Sequence, residues 1–147
     1  MTTETASRPG NDPGATRVEK RRRYSSQVAG VLAAAFAVSA LYALISTLIG
    51  DTNSGSNLRN PQLWVFYVIG FGLAVLVRTD RMWAWRVVGV AVLVLILVGI
   101  FYYPTVFVPG AQTTLGWFEN DVYVGLLILA EYLCVQRLRN IILTPGR

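Results

Sequence analysis

The sequence predicts an all-α membrane protein with four transmembrane helices, and three observations carry that reading. Hydrophobic residues make up 54% of the 147 positions and charged residues only 14%, whereas soluble domains carry about 25% charge. The mean hydropathy is correspondingly high, +0.48. Most charges also sit in short clusters, which leaves long uncharged stretches between them. A stretch of about 20 apolar residues is what an α-helix needs to cross a bilayer core of about 30 Å.

Residues 1–23 are a polar arm, MTTETASRPGNDPGATRVEKRRR, in which Met1 and Val18 are the large apolar side chains. Such a composition cannot bury enough apolar surface to offset its ordering entropy, so the unbound arm is expected to be disordered. Residues 24–147 form the transmembrane domain. Its first span covers about 27–49, with no charge between Arg23 and Asp51. The run GDTNSGSNLRNPQ at 50–62 reads as a loop, and Pro61 suits the first turn of the next helix.

The second span, about 61–77, is short, and Arg78 can lengthen it by snorkelling to the interface. A tight polar turn is expected at RTDRMWAWR, 78–86. The third span, about 86–103, contains the most apolar segment of the chain (VVGVAVLVLILVGIFYY) and is expected to stop at Pro104. A second loop follows, with Pro109-Gly110 as its turn signal. The fourth span, about 115–136, has Thr113 or Thr114 as its N-cap and carries Glu131 within it.

Orientation follows from Lys and Arg in the short loops. Of the 13 such residues, only Arg59 falls between spans one and two; the rest lie before span one, between spans two and three, or after span four. Both termini are therefore expected in the cytoplasm, in a multi-pass protein of the plasma (inner) membrane. Trp64, Trp83, Trp85 and Trp117 fall at span ends, where an amphipathic ring prefers to lie. Arg21-Arg22-Arg23-Tyr24 loosely resembles a twin-arginine export signal, with Val38-Ser39-Ala40 as its cleavage site. However, the apolar run continues through LYALISTLIG, and the usual Ser or Thr before the arginine pair is missing.

Several chemistries are excluded. The chain contains no histidine, so imidazole ligation of a metal or haem within it is impossible, as is a histidine base. Cys134 is the one cysteine, which rules out an internal disulfide and a thiolate cluster. No catalytic set, no metal site and no cofactor site is expected.

Glu131 is the anomaly, because an ionised carboxylate in hydrocarbon is costly and marks a functional site by default. It could relay protons or hold a cation. The alternative, which we prefer, pairs it near the inner interface with Arg86 or Arg78. On that reading Glu131→Gln alters assembly more than any flux. The outer acidic cluster of Glu119 and Asp121, with Asn120 between them, could bind a cation or a basic partner. It reads better as a helix N-terminus with carboxylates near the positive end of the dipole. Lys20, Arg21, Arg22 and Arg23 abut a span and so set topology and attract anionic lipid headgroups rather than nucleic acid.

Small residues recur at four-residue spacing in span one, as Ala29, Ala33 and Ala37 and as Ala35, Ser39 and Ala43; Gly70 and Ala74 repeat it in span two. Such faces permit close helix packing within the bundle or against a partner. Val106, Phe107 and Val108 place apolar side chains in a loop, which suggests contact with another protein or with the bilayer interface.

These features favour a non-catalytic accessory or structural subunit of a larger inner-membrane complex, whose partners are other membrane subunits and anionic lipids, with no small-molecule substrate. The alternative is a small oligomeric transporter or channel using Glu131. A membrane enzyme is disfavoured by the lack of a catalytic set. The Thr/Glu/Ala/Pro/Gly arm, the KRRRY junction at Lys20 to Tyr24 and the Val/Ala/Leu-rich spans resemble a high-GC actinobacterial membrane protein. In size and plan the chain is similar to small uncharacterised subunits around the actinobacterial cytochrome bcc–oxidase supercomplex, a resemblance of layout rather than of a motif. It implies a role in assembly or stability of that respiratory complex, with no redox cofactor in this chain.

Overall fold

A computed structural model describes residues 13–50, 58–79, 81–102 and 113–142. Every described element is helical: α1 (Pro13–Leu48), α2 (Pro61–Leu76), α3 (Met82–Leu97) and α4 (Thr114–Ile142). A short 3₁₀ turn, Val77–Thr79, follows α2, and a π-helical turn, Val98–Tyr102, extends α3.

Local chemistry explains the helix starts. Asn60 caps α2 by accepting the Gln62 backbone N–H at 3.0 Å, and Pro61 occupies the first turn, where its missing N–H costs nothing. Thr113 caps α4 through its hydroxyl, which accepts the Gly116 N–H at 3.2 Å. Met82 opens α3 directly after an extended Arg81. The expected polar turn at 78–86 is thus confined to its first residues, because Trp83, Ala84 and Trp85 already belong to α3 and Trp85 is fully buried against the bundle.

The arm also differs from expectation. Residues 13–23, expected to be disordered, are the first turns of α1. At 1.5 Å per residue the 36 residues of α1 extend about 54 Å, well beyond a bilayer core of about 30 Å. Helix α4 likewise continues beyond its apolar part, and both Ser25 on α1 and Arg137 on α4 are buried. Residues 1–12 lie outside the described set.

Helix α1 packs most extensively against α4, next against α2, while α3 rests on α4. The α1–α4 register is antiparallel. Tyr42 lies over Gly116, and the Phe36 ring meets Tyr123 edge-on at 5.7 Å. Phe36 is the hub of the core, with the rings of Phe66 at 5.2 Å and Phe71 at 6.1 Å. A Cβ on Gly70 would overlap the Phe36 ring, which is why α2 has glycine at this crossing. Val28, Leu32, Val88, Val92 and Leu127 complete the interior.

Among the described residues, three helical segments are long and apolar enough to cross a membrane: Arg22–Leu48, Pro61–Thr79 and Met82–Tyr102. Four were expected. Helix α4 has the length, at 29 residues, but Glu119, Asp121, Glu131, Arg137 and Arg139 are spaced so that any 18-residue window of it contains three of them. The outside of the bundle is nonetheless apolar on every helix. Leu41, Val68, Val90 and Phe118 are all more than half exposed. Such a surface is unsuited to water and suits hydrocarbon.

Candidate functional site: a buried carboxylate between three helices

The α1–α4 register puts two of the three acids of α4, Glu119 and Glu131, elsewhere than expected. Glu119 was read as part of an outer helix terminus. It is 8% exposed and faces Ser39, near the middle of the uncharged run of α1. Ser39 also interacts with the Tyr67 hydroxyl on α2. Ser39 on α1 is thus the shared hydrogen-bond neighbour of Glu119 on α4 and Tyr67 on α2. Tyr123 lies one turn along α4 from Glu119 and is buried as well. Among the described residues the Tyr123 hydroxyl is buried without a hydrogen-bond partner.

Beside this cluster Asn120 turns toward α3 and donates to the Gly99 carbonyl at 3.4 Å, within the π-helical turn. A Cβ on Gly99 would come within 2.7 Å of Val124, so glycine allows α3 and α4 to touch there. Asp121, the other member of the expected acidic cluster, is exposed and takes no part in the interior. It borders a surface groove of about 320 Å³ with Gly99, Trp117, Val124 and Gly125.

Glu131 lies farther toward the C-terminal end of α4. Its carboxyl sits over Gly89 of α3, and Oε2 is enclosed without a hydrogen-bond partner. Among the described residues the expected pair with Arg86 or Arg78 is not formed; both arginines are exposed, whereas Glu131 Oε2 is enclosed. Arg137 is instead the buried cation of this region: its guanidinium stacks 3.7 Å from the centroid of the Trp85 ring. Cys134 is fully buried and lies within electrostatic reach of both Glu131 and Arg137.

Of the small-residue lines in α1, Ala35 and Ala43 are buried against the bundle. The line proposed for partners begins buried at Ala29, is partly covered at Ala33 and emerges at Ala37. The small face that is exposed consists of Gly30, Ala34 and Ala37. Next to it, α1 and α4 leave an open groove of about 680 Å³ lined by Arg23, Ser26, Gly30, Val31, Leu129 and Leu133. A Cβ on Gly30 would meet nothing within 4 Å. Arg22 and Arg23 are exposed, and Lys20 and Arg21 stand on the same helix with side chains outside the described set. Val106, Phe107 and Val108 also lie outside the described residues.

Sequence reading missed Ser39 and Tyr67 as one group with Glu119. Serine and tyrosine are unremarkable in apolar helices, and only the packing of α1, α2 and α4 brings them together. Comparison with known families, curated proteins and solved structures finds no match to this chain.

Proposed function

We propose that the chain is a four-span protein of the plasma membrane, with both termini in the cytoplasm, that works as a non-catalytic accessory subunit of a larger inner-membrane complex. The observation that carries this reading is the exposed Gly30–Ala34–Ala37 face beside the α1–α4 groove. Small residues let a second helix approach the backbone closely, and packing of that kind drives helix association where the solvent is already apolar. Nothing within the bundle requires glycine at position 30.

The fourth crossing is supported by how α4 distributes its polarity. Glu119, Asn120 and Arg137 are buried while Leu115, Phe118, Ile128 and Tyr132 are exposed. A helix of that pattern keeps its polar groups among its neighbours and presents hydrocarbon outward. The excess of Lys and Arg on one side of the spans supports cytoplasmic termini. The exposed Arg22 and Arg23 at the inner end of α1 suit contact with anionic headgroups.

Within this reading, a respiratory electron-transfer supercomplex is the partner that the general layout favours, with a role in its assembly or stability. A mild-detergent native gel of the tagged protein, with mass spectrometry and a visible spectrum of the band, tests it. Co-migration with haem-containing subunits is the expected result. A small band holding this chain alone would remove the accessory reading.

A further inference from the structure

We propose that the groove between α1 and α4 holds one anionic phospholipid, with its phosphate at Arg23 and one acyl chain against Gly30, Val31, Leu129 and Leu133. The groove has a volume of about 680 Å³, and its lining changes character along its length. Arg23, Ser26 and Gln27 line one end, Gly30 and Val31 follow a turn farther along α1, and α4 contributes Leu129 and Leu133. Equal steps along the two antiparallel helices from the Phe36–Tyr123 contact reach Gly30 with Leu129 and Ser26 with Leu133, so both helices wall the groove over the same depth. Arg23 is the last charge before the uncharged run that ends at Asp51, which puts its guanidinium where a span meets the headgroups. From Arg23 to Gly30 is about 10 Å of helix. The groove thus leads from headgroup depth into hydrocarbon.

The chemistry of the lining selects the occupant. A guanidinium binds phosphate through paired N–H donors, and Ser26 and Gln27 add donors for glycerol and ester oxygens. Among the described residues no carboxylate lines the groove, so nothing there would receive the ammonium of a zwitterionic headgroup. The exposed Arg22 beside Arg23 adds to the positive field. Basic pockets between transmembrane helices bind anionic headgroups in this way. A partner helix fits the groove less well, because the small face it would use runs on from Gly30 to Ala34 and Ala37, past the groove's lining. Lipid and partner can be held side by side. The inference stands without the accessory reading, since the whole site belongs to this chain.

The test is native mass spectrometry and thermal unfolding of the purified full chain in mild detergent, with phosphatidylglycerol, phosphatidylcholine or inorganic phosphate added. Binding to the folded state raises the Tm with ligand concentration. The expected result is one phosphatidylglycerol retained per chain and a Tm rise that saturates with its mole fraction in the micelle, with neither for phosphatidylcholine. Arg23→Gln should raise the half-saturating mole fraction about tenfold. Leu129→Trp, which fills the apolar end from an exposed position, should weaken binding similarly. Both positions border open space, so the Tm without added lipid should not change. Arg139→Gln removes an exposed charge outside the groove and should leave the lipid response as in wild type. An equal loss in Arg139→Gln would overturn the proposal and reduce the effect to general attraction by net charge. A wild-type response in Arg23→Gln or Leu129→Trp would overturn it too. So would equal responses to the two lipids, an equal response to inorganic phosphate, or a second copy of the chain bound in place of lipid.

Discussion

Gly70 lies under the Phe36 ring, and a single methyl group there has nowhere to go. Phe36 cannot retreat, since it is fully buried and holds Phe66, Phe71 and Tyr123 around it. Overpacking of this kind costs about 1–3 kcal/mol. Gly70→Ala should therefore lower the Tm in detergent, while Gly72→Ala, whose Cβ would meet nothing within 4 Å, should leave it unchanged. Equal effects would show that Phe36 is not the hub described. The Arg137–Trp85 stack makes a second prediction at this scale. A desolvated cation–π contact contributes about 2 kcal/mol, and Arg137 is 5% exposed. A double-mutant cycle of Trp85→Leu with Arg137→Met should show coupling of about 1–2 kcal/mol; strict additivity would argue against the contact.

At the scale of helices, the apolar runs were legible in the sequence, and so were Pro61 in the first turn of α2 and the threonine cap of α4; the Asn60 cap was not. Pro61 after Asn60 and Thr113 before Leu115 mark helix starts by local hydrogen bonding alone. Asn60→Ala should cost about 1 kcal/mol of stability for that reason, read as a lower Tm. What was not legible depends on contacts between helices. The Pro, Gly and Thr of the arm signal disorder locally, yet residues 13–23 continue α1 as helix. Glu119 looked like an outer terminus and Glu131 like the intramembrane acid, because the offset between α1 and α4 cannot be read from either helix alone. Hydrogen–deuterium exchange of the full chain in detergent checks the first point. Amides from about Arg17 to Ser26 should be protected to a degree similar to the rest of α1, and exchange at the rate of an unstructured peptide would contradict the extended helix.

For the whole molecule, the distribution of polarity is the organising fact. Leucine, valine and aromatic side chains face outward on every helix, while Glu119, Asn120 and Arg137 face inward. The proposed crossing of α4, which leaves Asp121 and Arg139 exposed, has a direct topological consequence. In a Cys134→Ser background, Thr3→Cys and Gly146→Cys should be labelled by an impermeant thiol reagent from the same side, and Ser54→Cys from the other. If α4 did not cross, Gly146→Cys would label together with Ser54→Cys.

The exposed small face of α1 is the proposed docking face, so Gly30→Leu is the substitution that bears most directly on the account. It enters open space beside the α1–α4 groove and should leave the fold intact. The measurement is a mild-detergent native gel of wild-type and Gly30→Leu protein, with the Tm of each purified chain alongside. The account predicts an unchanged Tm and loss of the high-mass band in the variant. A variant that still migrates in that band, at wild-type stability, would contradict docking through this face.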